Sequence, residues 1–284
     1  MAELLRGAPV AAALTERAAE CAAALAERGV VPTLAVVRVG ERPDDVAYER
    51  GACKRCEKAG IAVVRHILPG DCSQTDLMAV IEQVSADASV HGCLLFRPLP
   101  AHLDGAAAAA ALDPAKDVDG ITAGSLFGVL SGERVGFPPA TAAAVIELLD
   151  HYGIALSGAE VTVVGRSLVI GRPVSLMLQA RDATVTMCHT RTRDLAAACR
   201  RADVLVVAAG RAGVIGAEAA RAGQAVIDVG INWDEDAGAL VGDVAFDAVE
   251  PLVAAITPVP GGIGAVTTAV LAAHVVEAAE RSLA

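Results

Sequence analysis

Between Thr33 and Phe96 the chain alternates short apolar runs with helix-like stretches, and few architectures accept that order. Thr33–Val39 (TLAVVRV) has the make-up of a buried strand, and residues 46–60 predict a helix closed by a C-cap glycine. Residues 61–68 read as a second strand, 75–88 as a second helix, and 91–96 (HGCLLF) as a third strand running into Arg97-Pro-Leu-Pro100. This β-α-β-α-β pattern predicts a parallel sheet of the α/β class. A second strand series follows at 160–164, 184–188, 204–208 and 225–229, each ending at a turn able to face a ligand. The six-alanine run after Gly105, residues 141–152 and residues 267–281 read as helices. Two α/β halves therefore meet at the Pro-rich joint Gly136–Thr141, and the expected ligand site is a cleft between them at the carboxyl ends of strands.

Charge and composition exclude other classes. A formal charge of −11 and 2% aromatics suit neither a basic nucleic-acid footprint nor a stacking platform for single strands. The apolar stretch from Pro9 to Leu14 is too short for a signal peptide, and Glu16, Arg17, Glu20 and Glu27 recur at helical spacing. No uncharged run reaches the roughly 18 residues of a membrane span, so a cytoplasmic protein is expected. Its seven cysteines, odd in number and scattered, read as reduced thiols. Cys53-Lys-Arg-Cys56 has no second pair to complete a zinc site, and no metal is expected.

The second half carries a nucleotide signal. Gly165-Arg-Ser-Leu-Val-Ile-Gly171-Arg-Pro173 follows a strand, and its glycines are six apart, unlike the Gly-x-Gly-x-x-Gly fingerprint. Gly165 permits close backbone approach, Ser167 offers a hydroxyl, and the helix N-terminus adds a positive dipole end. Such turns also carry glycine for packing alone. An NAD site would place an acid at the end of the next strand; here stand Thr190, Arg191 and Arg193, with Arg166 close in sequence to the turn. That set suits a 2′-phosphate and so NADP, against the plainer reading of a solvated surface. Gly210 and the stretch Ile227–Asn232, which includes Ile231, end further strands with room for a nicotinamide ring.

Three more constellations border the expected cleft: Arg97-Pro-Leu-Pro100, Lys116-Asp-Val-Asp-Gly120 and Thr257-Pro-Val-Pro-Gly-Gly-Ile-Gly264. With Tyr48, Gly165-Arg-Ser167, Cys188-His-Thr190, Asp228–Asn232 and Gly242-Asp-Val244, they occur in an order that resembles the bifunctional methylenetetrahydrofolate dehydrogenase/cyclohydrolase family almost end to end. The resemblance implies two α/β domains with a cleft between them, the second a Rossmann-type parallel sheet. Residues 1–138 plus a C-terminal helix 267–284 would form the folate domain and 139–266 the NADP domain, in a homodimer. It implies oxidation of 5,10-methylenetetrahydrofolate by hydride transfer to NADP, followed in many members by hydrolysis to 10-formyltetrahydrofolate. Asp119 corresponds to the pterin anchor and Tyr48 to the tyrosine that positions the folate. Phe96, Pro98 and Leu99 fall on the folate side, with Pro260, Gly261 and Gly262 as its wall and Thr267 following. Gly165, Arg166, Ser167, Thr190, Arg191, Gly210 and Ile231 make up the cofactor set.

The pattern breaks at the hydrolytic step. The family's proton-handling lysine, one helical turn after the tyrosine, is Ala52; its glutamine partner is Phe96; and the usual Pro-Cys-Thr-Pro-x-Gly run is Pro139-Ala-Thr-Ala-Ala-Ala144. Lys54, a stand-in, projects about 120° from Tyr48 and roughly 160° from Ala52 on a regular helix. Hydride transfer needs no general base, whereas hydration and ring opening do. The sequence thus favours an NADP-dependent dehydrogenase with weak or absent cyclohydrolase activity. A fully bifunctional enzyme, and a non-catalytic folate- or nucleotide-binding regulator, remain the alternatives.

Overall fold

The computed structural model of the chain describes residues 1–235 and 238–283. Its contacts divide into two compact units: one of Met1–Ala11 with Thr141–Thr267, the other of Ala12–Ala140 with the C-terminal residues from Thr268. The first strand, β1 (Glu3–Leu4), was not foreseen, nor was its pairing with residues 255–256. That pairing puts Met1–Ala11 with the second strand series rather than the first. Helix α1 (Gly7–Glu27) follows it.

The alternation from Thr33 onward folds as β2 (Thr33–Val39), α2 (Pro43–Lys58), β3 (Ala62–Leu68), α3 (Gln74–Ala86) and β4 (Gly92–Leu95). The strands form a parallel sheet in the order β3-β2-β4. Central β2 is covered on both faces, which is why it reads as an unbroken apolar run. Successive residues point to opposite faces. Leu34 and Val36 join a cluster with Ala52, Cys56, Leu94 and Phe96, while Ala35 and Val37 join Leu77, Ile81, Cys93 and Leu95. A capping box between Ser73 and Asp76 starts α3. The alanine run is helix α4 (Gly105–Ala111), capped by Asp104. Helix α5 (Ala123–Ser131), with Thr122 at its N-cap, had no counterpart in the sequence reading.

Helix α6 (Ala140–His151) leads into the second series: β5 (Glu160–Val164), α7 (Gly171–Gln179), β6 (Thr184–Cys188), α8 (Leu195–Arg201), β7 (Val204–Val207) and β8 (Ala225–Asp228). A hairpin of β9 (Asn232–Asp234) and β10 (Ala239–Val241), a short α9 (Phe246–Val249) and β11 (Ala255–Ile256) come next. The parallel sheet runs β1-β11-β8-β7-β5-β6, a Rossmann-type arrangement. Helix α10 (Ile263–Arg281) begins one turn before the expected Thr267. It is long and apolar enough to cross a membrane, yet 67% of its apolar window is buried inside the protein, which marks it as a core helix.

Candidate active site

In the unit built on β2, β3 and β4, helix α2 presents Tyr48. Pro43 opens this helix and Asp44 and Asp45 occupy its first turn, where the dipole favours acids. Glu49 fixes the helix against the sheet: its carboxylate accepts from Arg38 Nε of β2 at 2.7 Å and from Arg65 Nε of β3 at 3.0 Å. Tyr48 is left 36% exposed, edge-on to Phe96 with ring centroids 5.9 Å apart. Burial and then the Asp119 charge push its phenol well above its usual range, so it remains a hydrogen-bond donor at neutral pH.

Ala52, one turn beyond Tyr48, has no exposed surface and lies in the apolar cluster that also takes Phe96. The two positions where the resemblance expects lysine and glutamine thus share one apolar cluster. Lys54 is exposed, and α2 runs without interruption from Pro43 to Lys58, so no slip carries Lys54 toward the Tyr48 face.

The loop Lys116–Gly120 shows why Asp119 stands out. Lys116 Nζ donates to the carbonyls of Val84 and Asp87. Asp117, fully buried, accepts from the amides of Ile121 and Thr122 and from Ser125 Oγ. The Val118 side chain is in the core, and its carbonyl lies 2.9 Å from His274 Nδ1. Gly120 has φ +70, and a Cβ there would meet Pro139 N at 2.3 Å. Each of these four has a structural task. The Asp119 carbonyl accepts from Ala140 N at 3.4 Å, but among the described residues its carboxylate makes just one contact, an ion pair of Oδ2 with Arg97 Nη2 at 3.8 Å, and its side chain is 24% exposed. Burial raises its carboxyl to about 7, Arg97 opposing and Asp117 assisting. Arg42 Nη1 donates to Pro98 O at 3.0 Å and so ties the 97–100 loop to the start of α2. Pro98 is exposed and Leu99 half-buried. Sequence reasoning gave no individual role to Arg42 or Arg97, whose partners are distant in the chain, nor to Asp117, whose partners are mostly backbone amides of the next turn.

In the other unit, the parallel registers align the carboxyl ends of β6, β5, β7 and β8 side by side. The expected cofactor residues emerge there: Thr190 and Arg191 after β6, Gly165–Ser167 after β5, Gly210 after β7 and Ile231 after β8. Gly165 has φ +127, and a Cβ would fall 2.2 Å from Ala208 O, so only glycine lets the turn close here. Ser167 Oγ accepts from Ile170 N at 3.2 Å, just before α7. Arg166, Arg191 and Arg193 are exposed, and none forms an ion pair among the described residues. Beyond β11, Pro258–Ala265 with Asp228–Ile231 and Leu240 line a cavity of about 250 Å³. This places Pro260, Gly261, Gly262 and Ile231 together, in the unit that does not hold Tyr48 and Asp119. Thr267 is buried, its hydroxyl 3.4 Å from Ile263 O in its own helix.

Two carboxylates missed by sequence reasoning support this edge. Asp243, fully buried, accepts from the amides of Ala209, Gly210 and Arg211 and from Asn232 Nδ2. Asp228 accepts from the amides of Gly230, Asp243 and Val244; burial pushes it up to about 6, against the pull of those amides. Their signals were the Asp228–Asn232 and Gly242-Asp-Val244 motifs, whose partners are mostly backbone amides and leave little pattern of side chains.

Residues 5–119 match the catalytic domain of the tetrahydrofolate dehydrogenase/cyclohydrolase family, and residues 139–283 its NAD(P)-binding domain. The chain is 47% identical over 281 residues to the bifunctional protein FolD of Carboxydothermus hydrogenoformans, covering 99% of this chain and 98% of that one. The crystal structure of the FolD dehydrogenase/cyclohydrolase from Campylobacter jejuni superposes with a TM-score of 0.95 at 36% identity, covering 99% of each chain. A Trypanosoma brucei FolD structure complexed with NADP and an inhibitor gives 0.92 at 35% identity, over 99% of this chain and 98% of that one. With both domains matched in order and a relative of 47% identity spanning nearly the whole chain, the chain belongs to the tetrahydrofolate dehydrogenase/cyclohydrolase family.

Proposed function

We propose that the protein oxidises 5,10-methylenetetrahydrofolate to the 5,10-methenyl cation with NADP as hydride acceptor. The observation that carries this reading is Asp119, a carboxylate loosely paired with Arg97 in a loop whose other residues are all committed to structure. Residues 12–138 with the C-terminal helix supply the folate side, and the Rossmann-type unit supplies the cofactor side. The NADP site fits the residues present: the closed Gly165 turn admits a backbone approach, and the unpaired Arg191 and Arg193 suit a 2′-phosphate. Bound there, the nicotinamide supplies the hydride acceptor. The chain's own part is alignment: Tyr48 donates and packs, Asp119 holds the pterin edge, and Asp243 fixes the Gly210 turn. We extend the proposal to a cytoplasmic homodimer, which light scattering of the purified protein tests for assembly.

Two readings of the next step differ. Relatives that span nearly the whole chain are named bifunctional, and they favour retention of the hydrolysis to 10-formyltetrahydrofolate. The apolar packing of Ala52 against Phe96 favours a slow step, with a separate hydrolase consuming the methenyl cation. Incubation with methylenetetrahydrofolate and NADP separates them: prompt 10-formyl product supports the bifunctional enzyme, and accumulating methenyl product the other. Absence of reduction with either NADP or NAD would instead leave a binding regulator.

Asp119 also sets a pH dependence. Its carboxyl is raised to about 7, so ionisation disfavours the fold, and stability falls as pH climbs from the usual carboxylate range toward about 7. Folate N–H donors need the ionised form. At saturating NADP, kcat/KM for the folate should therefore rise with pH through about 7, and Asp119→Asn should flatten that limb. A wild-type profile that is flat across this range removes Asp119 as a ligand.

A further inference from the structure

The Arg97–Asp119 pair joins a donor and an acceptor that are both only partly exposed. Their closest atoms are 3.8 Å apart, beyond hydrogen-bonding range, and the side chains remain 35% and 24% exposed. Neither group is satisfied by the other. Both can therefore take ligand atoms while still attracting one another. The root of Arg97 is held: Phe96 before it is buried against Tyr48, and the carbonyl of Pro98 after it accepts from Arg42. Guanidinium is always charged and presents its donors in a fixed plane.

A pterin has a complementary edge, with an acceptor at O4 beside donors at N3–H and the 2-amino group. Resting on the folate reading above, we infer that Arg97 is a specificity-determining residue that donates to O4 while Asp119 accepts from N3–H and the 2-amino group. A ring carrying a 4-amino group turns a donor toward Arg97 and leaves two donors facing each other. Arg97 thereby selects 4-oxo over 4-amino pteridines, and it does so without touching the carbon that loses the hydride.

The test is equilibrium binding of tetrahydrofolate and 4-amino-4-deoxytetrahydrofolate to the wild type, Arg97→Leu and Arg97→Lys. Measurement at about pH 9 keeps Asp119 ionised, so the loss of a neighbouring cation does not change its charge. Arg97→Leu should weaken the 4-oxo ligand roughly tenfold to a hundredfold, as expected for one charged hydrogen bond, and leave the 4-amino ligand nearly unchanged. Arg97→Lys should keep part of the preference. Equal losses for both ligands, or no loss for either, overturn the inference while the folate reading stands. If the wild type binds neither ligand, the folate reading falls and the inference falls with it.

Discussion

Replacing Ala52 with lysine should destabilise the protein by about 3–5 kcal/mol, measured as the shift in urea unfolding. The new ammonium would enter a site with no exposed surface, in the apolar cluster that also holds Cys56, Leu94, Phe96 and Leu271. That cluster is built of aliphatic, aromatic and thiol side chains and offers no carboxylate. The double variant Ala52→Lys with Phe96→Gln should lose less than the single lysine variant, because the amide oxygen gives the ammonium a partner and the ring no longer crowds it. The cycle of single and double variants should therefore show a favourable coupling of about 1–3 kcal/mol. Activity offers the sharper readout. If the wild type hydrolyses the methenyl cation slowly, the pair should raise that rate by about 10²–10⁴-fold, the usual contribution of a placed acid/base. A wild type that is already fast, and unimproved by the pair, hydrolyses through other groups and is bifunctional without the lysine.

Asp243→Asn should be equally damaging in the other unit. Oδ2 receives the amides of Ala209 and Gly210, and Oδ1 those of Arg211 and the Asn232 side chain. Both oxygens are thus fully engaged as acceptors. An amide NH₂ in place of either oxygen turns donors against donors in a site closed to water. The expected loss is about 3 kcal/mol or more, since several buried donors lose their acceptor at once. Release of the Gly210 turn should also weaken NADP binding well beyond the loss for the folate, measured by titration under folding conditions. A variant as stable as the wild type, with NADP affinity intact, would remove Asp243 as the organiser of that turn.

The chain's sequence exposes some of this structure and conceals the rest for physical reasons. Strand β2 was plain because both its faces are covered, which demands an apolar residue at every position from Leu34 to Val37. Strands β1 and β11 were not, since two residues carry no periodicity and are defined by backbone partners some 250 residues apart. Helix α5 was missed beside a strong motif that drew attention to Asp119, although Thr122 and Gly132 mark its two ends. In the site, the residues that a motif holds contiguous were legible: Gly165–Ser167 and Thr190 do share one sheet edge. Arg97 and Asp119 are 22 positions apart, and only the return of the chain past β4 makes them a pair. The departures at Ala52 and Phe96 were visible singly, but their packing in one cluster was not.

The pairing of β1 with β11 bears on how the molecule is made. Glu3 and Leu4 leave the ribosome some 250 residues before their partners Ala255 and Ile256. The other unit waits as well, because Leu271, Val275 and Ala279 complete the cluster that covers β2. Neither hydrophobic core can close until these late segments have emerged, an interval of roughly 10–50 s after β1 at ordinary elongation rates. Throughout that time the edge strand of one sheet and an apolar face of the other stand open. A newborn chain of this topology is therefore a natural client for chaperones that shield apolar surface during synthesis.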